Sequence, residues 1–199
     1  MQRRLKMPNW CNNNLVLTHK DPAMMEKALQ AWNEDKFLST LVPEPDYTKV
    51  KVKHTFPMNY STGELKTEFV DPEQAWWDWR VQNWGTKWDI GAGSDGARVE
   101  KLRKDGALEV FFCSAWSPPT EAYATLVNMG FDVSATYYES GCGFCGEFVD
   151  GQDNCFEIKG NSDWVRRYIP RHIDEDHCIS EDMAEWEEEN KEEEEDGIC

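Results

Sequence analysis

Ala107–Glu139 reads ALEVFFCSAWSPPTEAYATLVNMGFDVSATYYE, and three consecutive elements can be taken from it. Leu108, Val110 and Phe112 share one face of an extended chain, with Phe111 and Cys113 on the other. The pattern predicts a strand from Ala107 to Trp116, central in a sheet and covered on both sides. Trp116 has the parity of Leu108, Val110 and Phe112, which places its indole on the same buried face. Ser117-Pro118-Pro119 stops the strand, because proline gives no ladder donor and fixes φ. A helix over Thr120–Met129 follows, with Gly130 at its C-terminal cap, and Phe131–Glu139 is a further strand.

Working outward, Ala97–Lys104 pairs with Ala107–Trp116 as a hairpin around Asp105-Gly106, a favoured two-residue turn. Asn13–His19 alternates as a half-buried strand with Leu15 and Leu17 on one face. Asp21-Pro22 then supplies an N-cap and first helical residue for Ala23–Trp32, whose apolar stripe is Met25, Leu29 and Trp32. Phe37–Val42 is a short apolar run ended by Pro43. Residues 46–70 form an insertion, in which Lys49–Lys53 alternates like an exposed edge strand. Asp71-Pro72 opens a second helix carrying Trp76, Trp77, Trp79 and Trp84, with Gly85 as its cap, and Gly91, Gly93 and Gly96 mark a loop. Beyond Glu139, Gly141, Gly143 and Gly146 turn the chain into Glu147–Val149, and Cys155–Ile158 is one more edge strand. Ser162–Ile169 and Ser180–Asn190 read as helices, the second with an Ile179, Met183, Trp186 stripe.

The expected fold class is α+β: a ferredoxin-like βαββαβ core, an insertion between the first helix and second strand, a C-terminal hairpin and a helical acidic tail. The chain divides into an N-terminal extension (1–6), the ferredoxin-like domain (7–160, with 46–70 inserted) and the tail (161–199).

The chain of 199 residues carries a net charge of −17, but the charge is not evenly spread. Asp174–Asp196 holds 14 acidic residues and one lysine, so −13 falls there and only −4 on the rest. The body is nearly balanced and the acidity is an appendage. That balance argues against a broad basic face of the kind that grips nucleic acid. No apolar run has the length of a membrane span, and the seven cysteines form no even framework. Reduced thiols and a cytoplasmic location are expected.

Four phrases together resemble one family: Met7–Asn13 (MPNWCNN), Trp84–Asp89 (WGTKWD), Ala115–Pro119 (AWSPP), and Tyr138–Gly141 (YESG) with Phe144 and Gly146. In that order they look like the YubB-like ferredoxin-domain proteins of tailed phages and conjugative plasmids, over roughly residues 7–160. The resemblance implies the fold and a mobile-element origin, with no established reaction. It suggests an accessory protein that binds a host protein, for example one of a defence or DNA-processing system.

The residues themselves offer several candidate chemistries. Trp84, Lys87, Trp88 and Asp89, with Glu139, could form a partner-binding surface, since tryptophan is favoured at hot spots; the alternative is a corner whose indoles fill the core. Nucleic acid is a second possible partner, through stacking on the Trp84/Trp88 region and a patch of Arg166, Arg167 and Arg171, with further basic residues at Lys101–Lys104. A third reading is a small enzyme or metal protein. Cys142 and Cys145 have C-x-x-C spacing, with Cys155, His172, His177 and Cys178 as further ligands, but no second close pair completes a zinc set. No nucleophile motif or phosphate loop is present, and isolated carboxylates such as Glu139, Glu147 and Asp89 are usually surface residues. No cofactor, metal or membrane partner is expected. The acidic tail could imitate a phosphate backbone or simply be solvated.

Overall fold

The computed structural model describes residues 9–56, 58–59, 62–65, 69–94, 96–102 and 106–196. The N-terminal extension, Met7 and Pro8 of the Met7–Asn13 phrase, and residues 103–105, which include part of the Lys101–Lys104 basic stretch and of the hairpin turn, lie outside them. The chain is a mixed α+β structure built on a six-stranded antiparallel sheet, in the order β4-β5-β1-β6-β7-β8. In sequence the elements are β1 (Trp10–His19), α1 (Pro22–Asn33), α2 (Phe37–Leu41), β2 (Met58–Asn59), β3 (Glu64–Leu65), α3 (Ala75–Asn83), β4 (Arg98–Leu102), β5 (Leu108–Ala115), α4 (Thr120–Asn128), β6 (Phe131–Glu139), β7 (Phe144–Val149), β8 (Gln152–Glu157), α5 (Ser162–Tyr168), α6 (Arg171–His177) and α7 (Ile179–Asp196). The short β2 and β3 pair only with each other.

Alternation sets the sheet register. Leu15 lies between Val110 of β5 and Ala135 of β6, and Leu17 between Leu108 and Val133. All six side chains are buried and join Trp32, Trp84, Phe112, Tyr123, Leu126 and Phe148 in the main core, between the sheet and helices α1, α2 and α4. Burial of each such side chain contributes about 1.5–3 kcal/mol. Trp32 sits at the junction, edge-on to both Phe37 and Phe112. The opposite face carries a smaller core of Cys145, Val165, Ile169, Ile173 and Ile179 under α5, α6 and α7.

Local signals act where the chemistry allows. Asp21 caps α1 by accepting the Ala23 N–H, with Pro22 at the first turn. Gly85 follows α3 with φ of 84°. A Cβ there would come within 3.0 Å of the Pro118 carbonyl oxygen, so glycine also lets this turn pack against the start of α4.

Several expectations are corrected. Strand β5 is an inner strand, flanked by β4 and β1, but it is not covered on both sides: its second face, with Phe111 and Cys113, is only half-buried. Lys49–Lys53 is not a strand: Val52 points into the protein, Lys49 pairs with Asp46 in a turn, and only Lys53 bridges, to Phe69. The second helix begins at Ala75, because Asp71 and Pro72 open a turn that Gln74 closes onto the Asp71 carbonyl. Helix α6 was not expected. In α7, Ile179 is buried and Met183 packs on the smaller core, but Trp186 is 65% exposed.

The Trp116 expectation also fails. Strand β5 ends at Ala115, and Trp116 takes φ of 73°. That left-handed turn rotates the side chain off the face of Phe112, and its indole is 50% exposed.

Candidate functional site

The four phrases that carry the family resemblance meet at one end of the sheet. Trp10 pairs with Ala115, and Cys11 with Glu139. The Trp116 N–H donates to the Asn9 carbonyl at 2.9 Å. Thr86 Oγ1 donates to the Ala115 carbonyl and Ser117 Oγ to the Gly85 carbonyl, while Ser114 Oγ donates to the Ser117 carbonyl at 2.7 Å. Asn9 Nδ2 reaches Cys142 Sγ across the neighbouring turn. Segments distant in sequence are thus tied together by hydrogen bonds on both sides of Trp116. A bulky residue in the left-handed region is uncommon and costs of order 1–3 kcal/mol, so it persists only where its surroundings hold it.

Two clefts flank this nexus. One, of about 460 Å³, is lined by Phe56, Trp77, Val81, Thr86, Lys87, Ala115, Trp116 and Ser117. Four stretches build it: the insertion, α3, and the two turns that meet beneath Trp116. The insertion is held to α3 by Asp78, which accepts the Thr55 N–H at 2.5 Å, and by Gln82, which donates to the Lys53 carbonyl. Phe56 consequently lies 6.0 Å from Trp77. The second cleft, about 310 Å³, lies between Trp10, Trp88, Ile90 and Cys113. Trp88 is exposed, packs on Trp10 at 5.8 Å, and has the Lys87 ammonium 5.0 Å from its ring centre.

The sequence-derived candidates divide sharply. Trp84 is fully buried, donates its Nε1–H to the Val42 carbonyl at 2.8 Å and lies against Arg80 and Trp79. It fills the core and presents no surface to a partner. Glu139 is also buried, its carboxylate accepting the Gly141 and Cys142 N–H groups of its own turn. Asp89 is committed to structure, accepting the N–H groups of Leu38, Ser39 and Ile90 and so holding the start of α2. Lys87 and Trp88 alone of that set stand at the surface. Trp116, Trp77 and Phe56, which the sequence did not nominate, join them.

The arginines of the patch are each engaged at the surface. Arg166 is tied to Asp163 and the Ser180 carbonyl, Arg171 to Glu175, and Arg167 stacks on Tyr168. Cys142 and Cys145 differ in setting. Cys145 is buried in the smaller core, and burial pushes its thiol up to about 12. Cys142 is exposed, and its hydrogen bond with Glu139 holds the thiol above its ordinary range. Neither is a ready thiolate at neutral pH. Among the described residues no group of three or more His, Cys, Asp or Glu side chains could hold a metal ion, and no helix is long and apolar enough to cross a membrane.

Compared with protein families, with curated proteins and with solved structures, the chain has no match.

Proposed function

We propose that this chain works by binding a protein partner at the aromatic end of its sheet, and that it is an accessory protein of a phage or conjugative plasmid acting in the host cytoplasm. The observation that carries the binding reading is Trp116, a half-exposed indole on a strained backbone beside an apolar cleft. Exposed tryptophans in a rigid frame favour binding because little side-chain entropy is lost on contact. The mobile-element reading rests on the four phrases and on topology. Strands β4, β5, β1 and β6 lie side by side in the order second, third, first, fourth of a βαββαβ run, which supports a ferredoxin-like core. The host target would be a protein of a defence or DNA-processing system. Nucleic acid is the weaker partner, since Arg166 and Arg171 are already paired and the chain is acidic.

The test is capture from host lysate with the wild type, Trp116→Gly and Trp88→Ala. One partner retained by the wild type and lost by folded Trp116→Gly is the expected result. Equal capture by all three proteins would exclude this end of the sheet.

A further inference from the structure

Resting on that reading, we infer that the cleft between α3 and Trp116 receives a peptide segment in which an aromatic side chain stands next to a carboxylate. The walls supply the first half of the complement. Phe56, Trp77 and Trp116 are three rings from three separate stretches of chain, opening on a volume of about 460 Å³, within the ~300–1,000 Å³ typical of ligand sites. That volume exceeds what one aromatic side chain fills, so it leaves room for a neighbouring group. Ring-to-ring packing there is favourable beyond area alone.

Lys87 supplies the second half. It lines the cleft and is half-buried, and among the described residues its ammonium has no carboxylate partner. It lies over the ring of Trp88, 5.0 Å from the ring centre. By contrast the nearby Arg80 is neutralised by Glu44 at 2.7 Å. A partly desolvated, unpaired cation beside an aromatic cleft is complementary to an anion attached to an apolar group. A hydroxyl sharpens the choice. Ser117 Oγ already donates its proton to the Gly85 carbonyl, so toward a ligand it can only accept. It suits an N–H group of a peptide backbone. A nucleic-acid strand would also stack, but it brings a row of phosphates to a chain of net charge −17, and among the described residues lining the cleft Lys87 is the one cation to meet them.

The test uses two synthetic peptides, Ac-Gly-Trp-Asp-Gly-NH2 and its Trp-Asn counterpart, titrated against the 15N-labelled full chain. The aspartate peptide should bind about fivefold more tightly, the scale of one partly screened ion pair. Its shifts should centre on the amides of 115–117 and the indoles of Trp77 and Trp116. Lys87→Met should erase the difference between the peptides, and Trp116→Gly should abolish binding of both. Equal affinity of the two peptides, shifts centred elsewhere, failure of both to bind, or displacement of the peptide by a short oligo-dT would overturn the inference. Lysate capture that needs Trp116 but survives Lys87→Met would sink the inference and leave the binding reading standing. Capture indifferent to Trp116 would sink the binding reading itself.

Discussion

The backbone N–H of Trp116 donates to the carbonyl of Asn9 at 2.9 Å, so the residue that leaves β5 is bonded to the residue that enters β1. With the bonds of Thr86, Ser114 and Ser117 on its other side, that bond holds a segment in which Trp116 is left-handed and half-exposed. Two consequences separate this arrangement from a core tryptophan. Trp116→Gly removes strain of about 1 kcal/mol and loses only the contacts of a half-exposed ring. Its melting temperature should stay within a few degrees of the wild type. Trp84→Ala removes a fully buried, hydrogen-bonded indole and should cost about 3–5 kcal/mol. Paired thermal melts decide this, and a collapse of Trp116→Gly to the level of Trp84→Ala would contradict the geometry.

Asp89 offers a test of the frame behind the clefts. Its two oxygens accept from Leu38 and Ser39 in α2 and from Ile90, so Asp89→Ala strands three amides in a partly buried corner. The expected loss is about 1–3 kcal/mol. Denaturant unfolding should show it as a lower midpoint with an unchanged slope. Wild-type stability would mean that solvent satisfies those amides.

The thiols should react in two classes. Cys11 has no exposed surface, and burial, then the nearby Glu139 charge, push its thiol far up. Cys142, Cys155 and Cys178 are exposed. Alkylation of the native protein followed by peptide mass mapping should find Cys142, Cys155 and Cys178 modified and Cys11 protected until unfolding. Early modification of Cys11 would show that the β1–β5–β6 end opens readily.

How far the sequence reaches is clear from these residues. Alternation within a strand is local physics, so Leu15, Leu17, Leu108, Val110, Phe112 and the whole span of β6 are legible. Caps set by adjacent residues are legible too, as at Asp21 and Gly85. Trp116 defeats the same rule, because parity assumes an extended backbone and the left-handed turn is held by partners distant in sequence, Asn9 on one side and the Gly85-Thr86 turn on the other. Trp88 and Trp84 look alike in sequence, and only the packing of α3 against the core separates the buried indole from the exposed one. Glu139 carried a local clue: a carboxylate two and three residues before Gly141 and Cys142 can close its own turn. Helix α6 has one apolar residue, Ile173, to bury, too little periodicity to read.

Helix α7 has a structural anchor inside its acidic run. Glu187 accepts the Ser162 N–H at 2.8 Å and the Ser162 hydroxyl at 2.9 Å, joining α7 to the start of α5. A truncation after Trp186 removes that acceptor. It should lower stability by about 1–2 kcal/mol, whereas truncation after Asn190 should be neutral. Melts of the two truncated chains decide it, and equal stability would show that the Glu187 bridge contributes nothing.

His177 sets the pH response of the second face. Its ring is half-buried at the end of α6, 6.3 Å from the Tyr138 ring. Burial, the largest influence, holds its pKa below the usual imidazole value, while Asp176 and a hydrogen bond to the Thr136 backbone pull the other way. The unfolded chain therefore takes up the proton first as pH falls. Above about pH 6.5 both states are neutral and His177 has no effect on stability. Below it, stability declines until the depressed folded pKa is reached, and then levels off. Other charged and ionisable groups stand on this face. Asp176 bonds to Thr136, His172 pairs with Glu147 at 2.7 Å, and Asp174 holds Ser180, so the comparison must be a difference. The melting temperature of the wild type should fall more between pH 7.5 and 5 than that of His177→Gln. Parallel curves for the two proteins would mean that the ring is reached by solvent and titrates normally.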